Sequence, residues 1–263
     1  MAEIHPQAIV DPSAELGEDV TIGPGAIIEK NVIIGDGTSV GPYAIIYEGT
    51  TIGKKNQIGP FVTIGAAPQH LACQGRGTRV EIGDENIIRE YASIHRGTTL
   101  DQGLTRIGNR CFIMAYAHVG HDCVLADEVI LTNTVNLGGH VKIGKGVVIG
   151  GNSAVHQFCR LGELSFVAGL SGVDKDVPPF VRVFGSPAKI VGLNLVGLRR
   201  AKLSSDAIRK LSKALKIYLR EGTLKEALAR IEESFPEDDI VQKFVAFLKE
   251  DSKRGAIRKA LGE

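Results

Sequence analysis

Three side chains that could do chemistry together lie close to one another in the stretch HVGHDC, residues 118–123. His118, His121 and Asp122 combine two imidazoles with a carboxylate. Imidazole has a reference pKa of about 6.5, and beside a carboxylate it is suited to removing a proton from a hydroxyl near neutral pH. The spacing His118-x-x-His121 is also compatible with metal ligation. The stretch therefore predicts a functional site and leaves two kinds of chemistry open.

The elements that must position these side chains are predicted by a repeat of six residues. An aliphatic residue recurs at every sixth position, often followed by glycine. A period of six fits neither a helix of about 3.6 residues per turn nor plain alternation, but it fits short strands joined by tight turns. The fifth position of the hexad is usually small and predicted to face inward, and it includes Cys111, Cys123 and Cys159. The repeat residues are Ile4, Val10, Leu16, Ile22, Ile28, Ile34, Val40, Ile46, Ile52, Ile58, Ile64, Ile82, Ile88, Ile94, Ile107, Ile113, Val119, Leu125, Leu131, Leu137, Ile143, Ile149, Val155, Leu161, Val167 and Val173.

The hexad pattern resembles that of bacterial acyl- and acetyltransferases built as a left-handed parallel β-helix, in which three hexads form one triangular coil of 18 residues. The left hand is implied by this resemblance alone, because crossovers between parallel strands are normally right-handed. We therefore expect a mainly β protein with a left-handed parallel β-helix over residues 1–190. Insertions near 68–81 and 99–106 interrupt the hexads and are predicted to leave the coil as loops, either at the binding face or as tolerated surface loops.

Residues 191–263 are predicted to form a C-terminal α-helical domain. The prolines in DKDVPPFVRVFGSPAK, residues 174–189, argue against further strands after the repeat. Residues 196–263 carry 16 Lys and Arg against 11 Asp and Glu and are therefore mildly basic. A basic surface could attract an acidic protein partner, or it could be an ordinary solvated helix surface. The predicted helices begin after an N-cap at Ser204 or Ser205 and then span Thr223–Phe235, Pro236–Glu250 and Ser252–Leu261.

The composition is that of a water-soluble chain. Of the 263 residues, 43% are hydrophobic and 23% charged, the net charge is +1, and no apolar run approaches the roughly 18 residues of a membrane span. The start of the chain lacks the pattern of a signal peptide, so a cytoplasmic protein is expected, and nothing points to nucleic acid. The four cysteines lack C-x-x-C spacing, so we expect neither disulfides nor thiolate metal sites.

An 18-residue coil stacks each residue on the one 18 positions later, about 4.8 Å along the axis. His121 then lies beside Gly139, and Asp122 lies beside His140. His156 is expected near the same edge one coil further on, so that His121, His140 and His156 form a column. A base, a carboxylate that orients it and the backbone N–H of Gly139 as an oxyanion donor are what acyl transfer to an alcohol requires.

Five further motifs make the resemblance specific: SIHRGT (93–98), AHVGHDC (117–123), LGGHVKIG (137–144), GGNSAVHQFC (150–159) and SGVDKDVPPF (171–180). Together they resemble the UDP-N-acetylglucosamine O-acyltransferases that begin lipid A biosynthesis, and the similarity runs essentially end to end. The resemblance implies that a 3-hydroxyacyl chain moves from acyl carrier protein to the sugar 3-hydroxyl. It also implies a homotrimer with sites between the β-helices, and no cofactor or metal.

Residue roles follow from the same resemblance. His121 is implied to be the general base, Asp122 to orient it and Gly139 to contact the oxyanion. Gly169 matches the position that limits acyl length, and because glycine leaves the groove open we expect a longer chain. Substrate contacts are implied for His118, His140, His156 and Gln157, and nucleotide contacts for Asn194 and Arg200.

The first insertion departs from the family pattern. Family members commonly have P-Q-D-x-K there, whose acid and lysine contact substrate, whereas this chain has Pro68-Gln69-His70-Leu71-Ala72. We assign His70 to substrate binding in place of the acid. Arg76 or Arg79 could supply the missing positive charge, or the acceptor could be a 3-amino sugar nucleotide that would give an amide.

Three other interpretations fit parts of the pattern. A β-helical metalloenzyme resembling the γ-class carbonic anhydrases would also line up histidines, but the long helical tail would then have no role. The related lipid A acyltransferase that acts on the sugar amine carries a separate N-terminal domain, whereas here the hexads begin at Ile4. A non-catalytic scaffold would leave the base, carboxylate and glycine set without a purpose.

Overall fold

A computed structural model describes residues 1–73 and 77–260. Each repeat residue lies in one short strand, so the predicted hexad register is confirmed. The strands β1 to β28 are, in chain order, Glu3–Ile4, Ile9–Val10, Glu15–Leu16, Thr21–Ile22, Ile27–Ile28, Ile33–Ile34, Ser39–Val40, Ile45–Ile46, Thr50–Ile52, Gln57–Ile58, Thr63–Ala66, Arg79–Ile82, Ile87–Ile88, Ser93–His95, Leu104–Ile107, Phe112–Ile113, His118–Val119, Val124–Leu125, Ile130–Leu131, Asn136–Leu137, Lys142–Ile143, Val148–Ile149, Ala154–Val155, Arg160–Leu161, Phe166–Val167, Gly172–Val173, Val181–Phe184 and Lys189–Leu193.

Every third strand of the repeat pairs in parallel, so three sheets form the sides of a triangular coil. Sheet A begins with β1, β4 and β7, sheet B with β2, β5 and β8, and sheet C with β3, β6 and β9. The pairing advances by 18 residues where no insertion intervenes, as for His118 and Asn136 in sheet B. The connections between β11 and β12 and between β14 and β15 are longer, as the interrupted repeat predicts.

The core is a column of side chains inside the coil, and it continues into the helical segment, where Leu211, Tyr218 and Phe244 are buried. The second residue of nearly every strand points inward, and the small fifth-position residues fill the corners. Cys111, Cys123 and Cys159 are buried there, as predicted. Burial raises the pKa of the Cys111 thiol to about 11 and those of Cys123 and Cys159 to about 12, because a thiolate would lose its hydration.

Most corners of the coil are two-residue turns whose second residue has a positive φ. Asp122, His140 and Phe158 occupy this position at the corner between sheets B and C, with φ of 59°, 61° and 67°. Non-glycine residues rarely adopt this conformation, although Asp and His tolerate it better than most. The turn directs these side chains outward and stacks them in successive coils.

The β structure continues beyond the repeat, contrary to the prediction from the prolines. Strand β27 extends sheet A in parallel with β25, and β28 then pairs antiparallel with β27. Pro178, Pro179 and Pro187 lie outside these strands, so they interrupt no hydrogen-bond ladder. The domain boundary after residue 190 stays a prediction.

Four helices follow: α1 (Leu195–Arg200), α2 (Ser205–Arg220), α3 (Leu224–Ser234) and α4 (Asp239–Lys249). Helix α2 has Ser204 as its N-cap, one of the two predicted residues. Helix α1 was not predicted. The predicted helix Ser252–Leu261 is wrong over its described residues, because Ala256 and Ala260 instead form bridges to Asp176 and Ile190. No helix in the described ranges is long and apolar enough to cross a membrane.

The side chain of Arg160 joins the end of the β-helix to the helical segment. The guanidinium of Arg160 donates to the fully buried carboxylate of Asp176 at 2.7 Å and to Glu250 at 2.6 Å. The same guanidinium lies over the ring of Phe247, 4.6 Å from its centroid. Charge pairing and ring packing thus fix α4 against the last coils.

Candidate active site

The histidine and aspartate of HVGHDC form a hydrogen-bonded pair at the corner between sheets B and C. Nδ1 of His121 lies 2.9 Å from Oδ2 of Asp122. The side chains are only 11% and 2% exposed. With Nδ1 directed at the carboxylate, Nε2 is left to face the adjacent cleft, which is the orientation a base requires.

Asp122 is held by the second insertion. The backbone N–H of Thr98 donates to Oδ1 of Asp122 at 2.9 Å, and the Thr98 hydroxyl donates to Oδ2 at 2.8 Å. The backbone N–H of Asp122 donates in turn to Oγ1 of Thr105 at 2.8 Å. The segment around the second insertion therefore contacts Asp122 through Thr98 and Thr105. The hexad pattern gave no signal for Thr98, which lies 24 residues before Asp122.

Gly139 lies directly against the imidazole of His121, as the 18-residue register predicts. A Cβ at this position would lie 2.7 Å from Nε2 and 2.9 Å from Nδ1 of His121. Only glycine therefore allows the backbone to approach the ring this closely. The N–H of Gly139 makes no hydrogen bond within the described residues, so it is free to serve as a donor.

The predicted histidine column is correct for His140 and needs revision for His156. The ring of His140 lies edge-on to His121, with centroids 5.1 Å apart, and stacks on Phe158 at 4.5 Å. Phe158, and not His156, therefore continues the column. His156 precedes the turn and lines the cleft with Gln157, its Nδ1 3.0 Å from the carbonyl oxygen of Gln157.

A cleft of about 460 Å³ lies in front of the His121 imidazole. It brings together five of the predicted residues, His118, His121, Gly139, His156 and Gln157. His140 does not line the cleft; its side chain is 17% exposed and its ring packs edge-on against His121. The cleft is also lined by Gln69, His95, Gly120, Asn136, Leu137, Gly138, Ala154 and Val155.

His95 lines the cleft although it was not singled out as a site residue; the motif SIHRGT was its only signal. Its imidazole is buried, meets the ring of His118 edge-on at 4.8 Å, and has no hydrogen-bond partner for Nδ1 in the described structure. Desolvation, helped by the nearby His118 and His121, lowers the pKa of His95 to about 4. Desolvation also lowers the pKa of His118, whose Nδ1 lies 2.8 Å from the Ser93 hydroxyl. Burial therefore favours the neutral form of both His95 and His118.

The first insertion closes over the base. The ring of His70 meets that of His121 edge-on, with centroids 5.6 Å apart, although His70 itself is exposed. Its Nδ1 accepts a hydrogen bond from the backbone N–H of Ala72 at 3.3 Å. Arg79 forms an ion pair with Glu81, so its charge is already matched. Arg76 lies outside the described residues.

Three predicted residues lie away from this cleft within one chain. Asn194 caps α1, its Oδ1 accepting from the N–H of Gly197 and its Nδ2 donating to the carbonyl of Leu164. Arg200 is exposed at the end of α1. Gly169 lies at the corner between sheets A and B, where a Cβ would meet the carbonyl oxygen of Gly151 at 3.2 Å.

A cluster with the geometry of a metal site exists among the described residues, but it is not the predicted pair. His121, Asp122 and His140 could each offer one ligand atom, all within 4.8 Å of one another. His118 is not part of this group and instead faces Ser93. The spacing His118-x-x-His121 therefore does not form one ligand set in the fold.

Comparisons with known proteins agree with the fold. Residues 31–66 and 104–139 match the family described as bacterial transferase hexapeptide (six repeats). Residues 176–257 match the second domain of UDP-N-acetylglucosamine O-acyltransferases. An acyl-[acyl-carrier-protein]–UDP-N-acetylglucosamine O-acyltransferase of Thiobacillus denitrificans is 49% identical over 98% of this chain and 100% of its own. The corresponding enzyme of Alkalilimnicola ehrlichii is 50% identical over the same shares.

Solved structures give the same result. The UDP-N-acetylglucosamine O-acyltransferase of Moraxella catarrhalis is 44% identical, covers 97% of this chain and 99% of its own, and has a TM-score of 0.94. The UDP-N-acetylglucosamine acyltransferase of Campylobacter jejuni is 39% identical over 98% and 99%, with a TM-score of 0.92.

The fold and the site define a hexapeptide-repeat acyltransferase with a left-handed parallel β-helix, and the expected fold class is confirmed. Within that class, the chain belongs to the acyl-[acyl-carrier-protein]–UDP-N-acetylglucosamine O-acyltransferase family. The metalloenzyme interpretation is not favoured, because relatives of nearly full length carry the acyltransferase name.

Proposed function

We propose that this chain transfers a 3-hydroxyacyl group from acyl carrier protein to the 3-hydroxyl of UDP-N-acetylglucosamine, in lipid A biosynthesis. The observation that carries the proposal is the His121–Asp122 pair, which faces the cleft beside the free N–H of Gly139. The names of the close relatives support both substrates.

In the proposed mechanism, His121 is the general base. Its Nε2 accepts the proton of the sugar 3-hydroxyl as the oxygen attacks the thioester carbonyl carbon. The N–H of Gly139 donates to the oxyanion that forms, and Asp122 holds the imidazole and stabilises its protonated form. When the tetrahedral intermediate collapses, the C–S bond breaks and His121 returns its proton to the leaving thiolate. No protein nucleophile takes part.

The substrate contacts are proposed as follows. His118, His156 and Gln157 line the cleft and are within reach of a bound sugar. His140 contacts the substrate from beside His121. Asn194 and Arg200 contact the nucleotide; because they lie away from the cleft in their own chain, they serve the site of a neighbouring copy in a homotrimer. We propose that the enzyme is cytoplasmic.

Acyl length is proposed to depend on Gly169. Its missing side chain leaves the corner between sheets A and B open, with the carbonyl of Gly151 as the nearest neighbour. We expect activity with long 3-hydroxyacyl chains and expect Gly169→Met to shift the preference to shorter ones. Wild-type activity confined to short chains would contradict this role.

The identity of the sugar is the most specific part of the proposal. His70 stands where the family commonly has an acid, and Ala72 where it has a lysine, so the loop over His121 offers a different charge pattern. We propose that His70 contacts the acceptor at this point. The alternative acceptor, a 3-amino sugar nucleotide, is not favoured, because the close relatives are named for UDP-N-acetylglucosamine.

One assay tests both acceptors. Purified enzyme is given 3-hydroxyacyl carrier proteins of several chain lengths, with UDP-N-acetylglucosamine or its 3-amino analogue, and the kcat/KM of each pair is measured. His121→Ala should lower the rate by about 10² to 10⁴ with the preferred pair. His70→Asp with Ala72→Lys should shift the preference towards the 3-hydroxyl sugar if this loop selects the acceptor. Failure with both sugars would refute the proposed function.

A further inference from the structure

A second carboxylate, that of Asp101, contacts the site from outside the repeat. Asp101, in the second insertion, places Oδ2 at 2.9 Å from Nδ1 of His140. The side chain of Asp101 is 47% exposed, whereas that of His140 is 17% exposed. The two residues are 39 positions apart, so the contact is made by the fold and not by local sequence.

The His140 ring is fixed by three further neighbours. Its Nε2 lies 3.7 Å from Oδ2 of Asp122, one face stacks on Phe158, and the ring meets His121 edge-on at 5.1 Å. The stack is extended by Lys253, whose Nζ lies 4.1 Å from the Phe158 ring centroid. His140 thus packs against both His121 and Asp122, and a rotated His140 ring would disturb them.

The second insertion supports this group from both ends. Thr98 donates two hydrogen bonds to Asp122, and Asp101 accepts one from His140. The backbone N–H of Asp101 also donates to the carbonyl of Thr98 at 3.4 Å. One short loop therefore sets the positions of Asp122 and His140 together.

We propose that Asp101 is a positioning residue that acts through His140. Because its carboxylate accepts a hydrogen bond from Nδ1–H, Asp101 fixes the tautomer and the orientation of the His140 ring. The fixed ring in turn holds the His121–Asp122 pair in its working geometry. The inference rests on the proposed function, because it assumes that the cleft beside His121 is where acyl transfer occurs.

A double-mutant cycle tests whether the effect passes through His140. Acyl transfer is measured for wild type, Asp101→Ala, His140→Ala and the double variant. We expect Asp101→Ala to lower kcat/KM roughly tenfold, and to have less than a twofold effect when His140 is already alanine. Asp101→Asn should retain most of the activity, since its amide oxygen still accepts from Nδ1. Gln102→Ala, an exposed change in the same loop, is the matched control and should leave activity unchanged.

Two results would overturn the inference: an unchanged kcat/KM for Asp101→Ala, or an equal loss in both His140 backgrounds. If the His140→Ala background is too weak to assay, the ¹⁵N signals of histidine-labelled protein decide. The Nδ1 signal assigned to His140 should shift in Asp101→Ala while that of the distant His5 does not, and an unmoved His140 signal counts against the inference. A wild-type enzyme that transfers no acyl group would instead refute the proposed function, independently of Asp101.

Discussion

Replacing Gly139 by alanine should remove most of the activity while keeping the proposed oxyanion donor, since the backbone N–H is retained. The added Cβ would lie 2.7 Å from Nε2 and 2.9 Å from Nδ1 of His121, whereas ordinary contacts begin near 3.4 Å. The backbone of Gly139 is fixed by the coil, so the imidazole must move by about 0.7 Å to bring Nε2 to an ordinary contact distance, which is enough to disrupt its hydrogen bond to Asp122. A displacement of about 1 Å at a reacting group can cost about 10²-fold in rate.

The assay for this prediction is kcat/KM for acyl transfer, with the folded fraction checked by circular dichroism. Gly151→Ala is the matched control, because Gly151 occupies the same turn position at the corner between sheets A and B, and its added Cβ would meet nothing closer than 3.3 Å. We expect Gly151→Ala to keep its rate with a given acyl donor. A folded Gly139→Ala enzyme that keeps a third or more of the wild-type kcat/KM would refute the proposed closeness of base and glycine.

Three further predictions test other contacts. Thr98→Val removes the hydroxyl that donates to Asp122 and should lower kcat/KM roughly tenfold, with Thr98→Ser restoring it; equal activity of the two variants would contradict the role of the hydroxyl. Because the pKa of His95 falls to about 4 on folding, the free energy of unfolding should decrease by up to about 3 kcal/mol as the pH is lowered from 6.5 to 4, where the unfolded chain binds the proton first. Denaturant titrations of His95→Gln at several pH values should show a smaller decrease in the free energy of unfolding between pH 6.5 and 4 than the wild type shows. An equal decrease would argue against the lowered pKa of His95. Arg160→Met leaves the buried Asp176 carboxylate unpaired and should lower the free energy of unfolding by about 3–5 kcal/mol, whereas a change below about 1 kcal/mol would mean that water reaches this carboxylate.

The hexads predicted most of the β-helix because each repeat is a complete local unit: an inward aliphatic residue, a turn, and a small corner residue. Since the coil length is constant, the same arithmetic placed Gly139 beside His121 and His140 beside Asp122. It misplaced His156, which lies two residues short of the full 18-residue step from His140. Periodicity predicts a position only where the step between coils is complete.

The insertions and the segment after Ser252 follow no regular period, so their contacts could not be predicted in this way. Thr98 and Asp101 reach the site through loop geometry that no repeat encodes. The segment after Ser252 was predicted to be helical, but its backbone bonds instead to the end of the β-helix: Ile257 donates to the carbonyl of Asp176, and Ile190 donates to that of Lys259. Tertiary pairing thus overrides a weak helical pattern.

The burial of Cys123 also bears on the route the acyl group can take. This thiol follows Asp122 in the chain, yet its sulfur is inside the coil, donates to the carbonyl of Gly138 at 3.2 Å, and has a pKa raised to about 12. A thioester entering the cleft therefore meets no exposed sulfur at this position, and Cys123 is not placed to take up the acyl group. The same burial should protect Cys123 from alkylating reagents, although it is next to Asp122 in the chain.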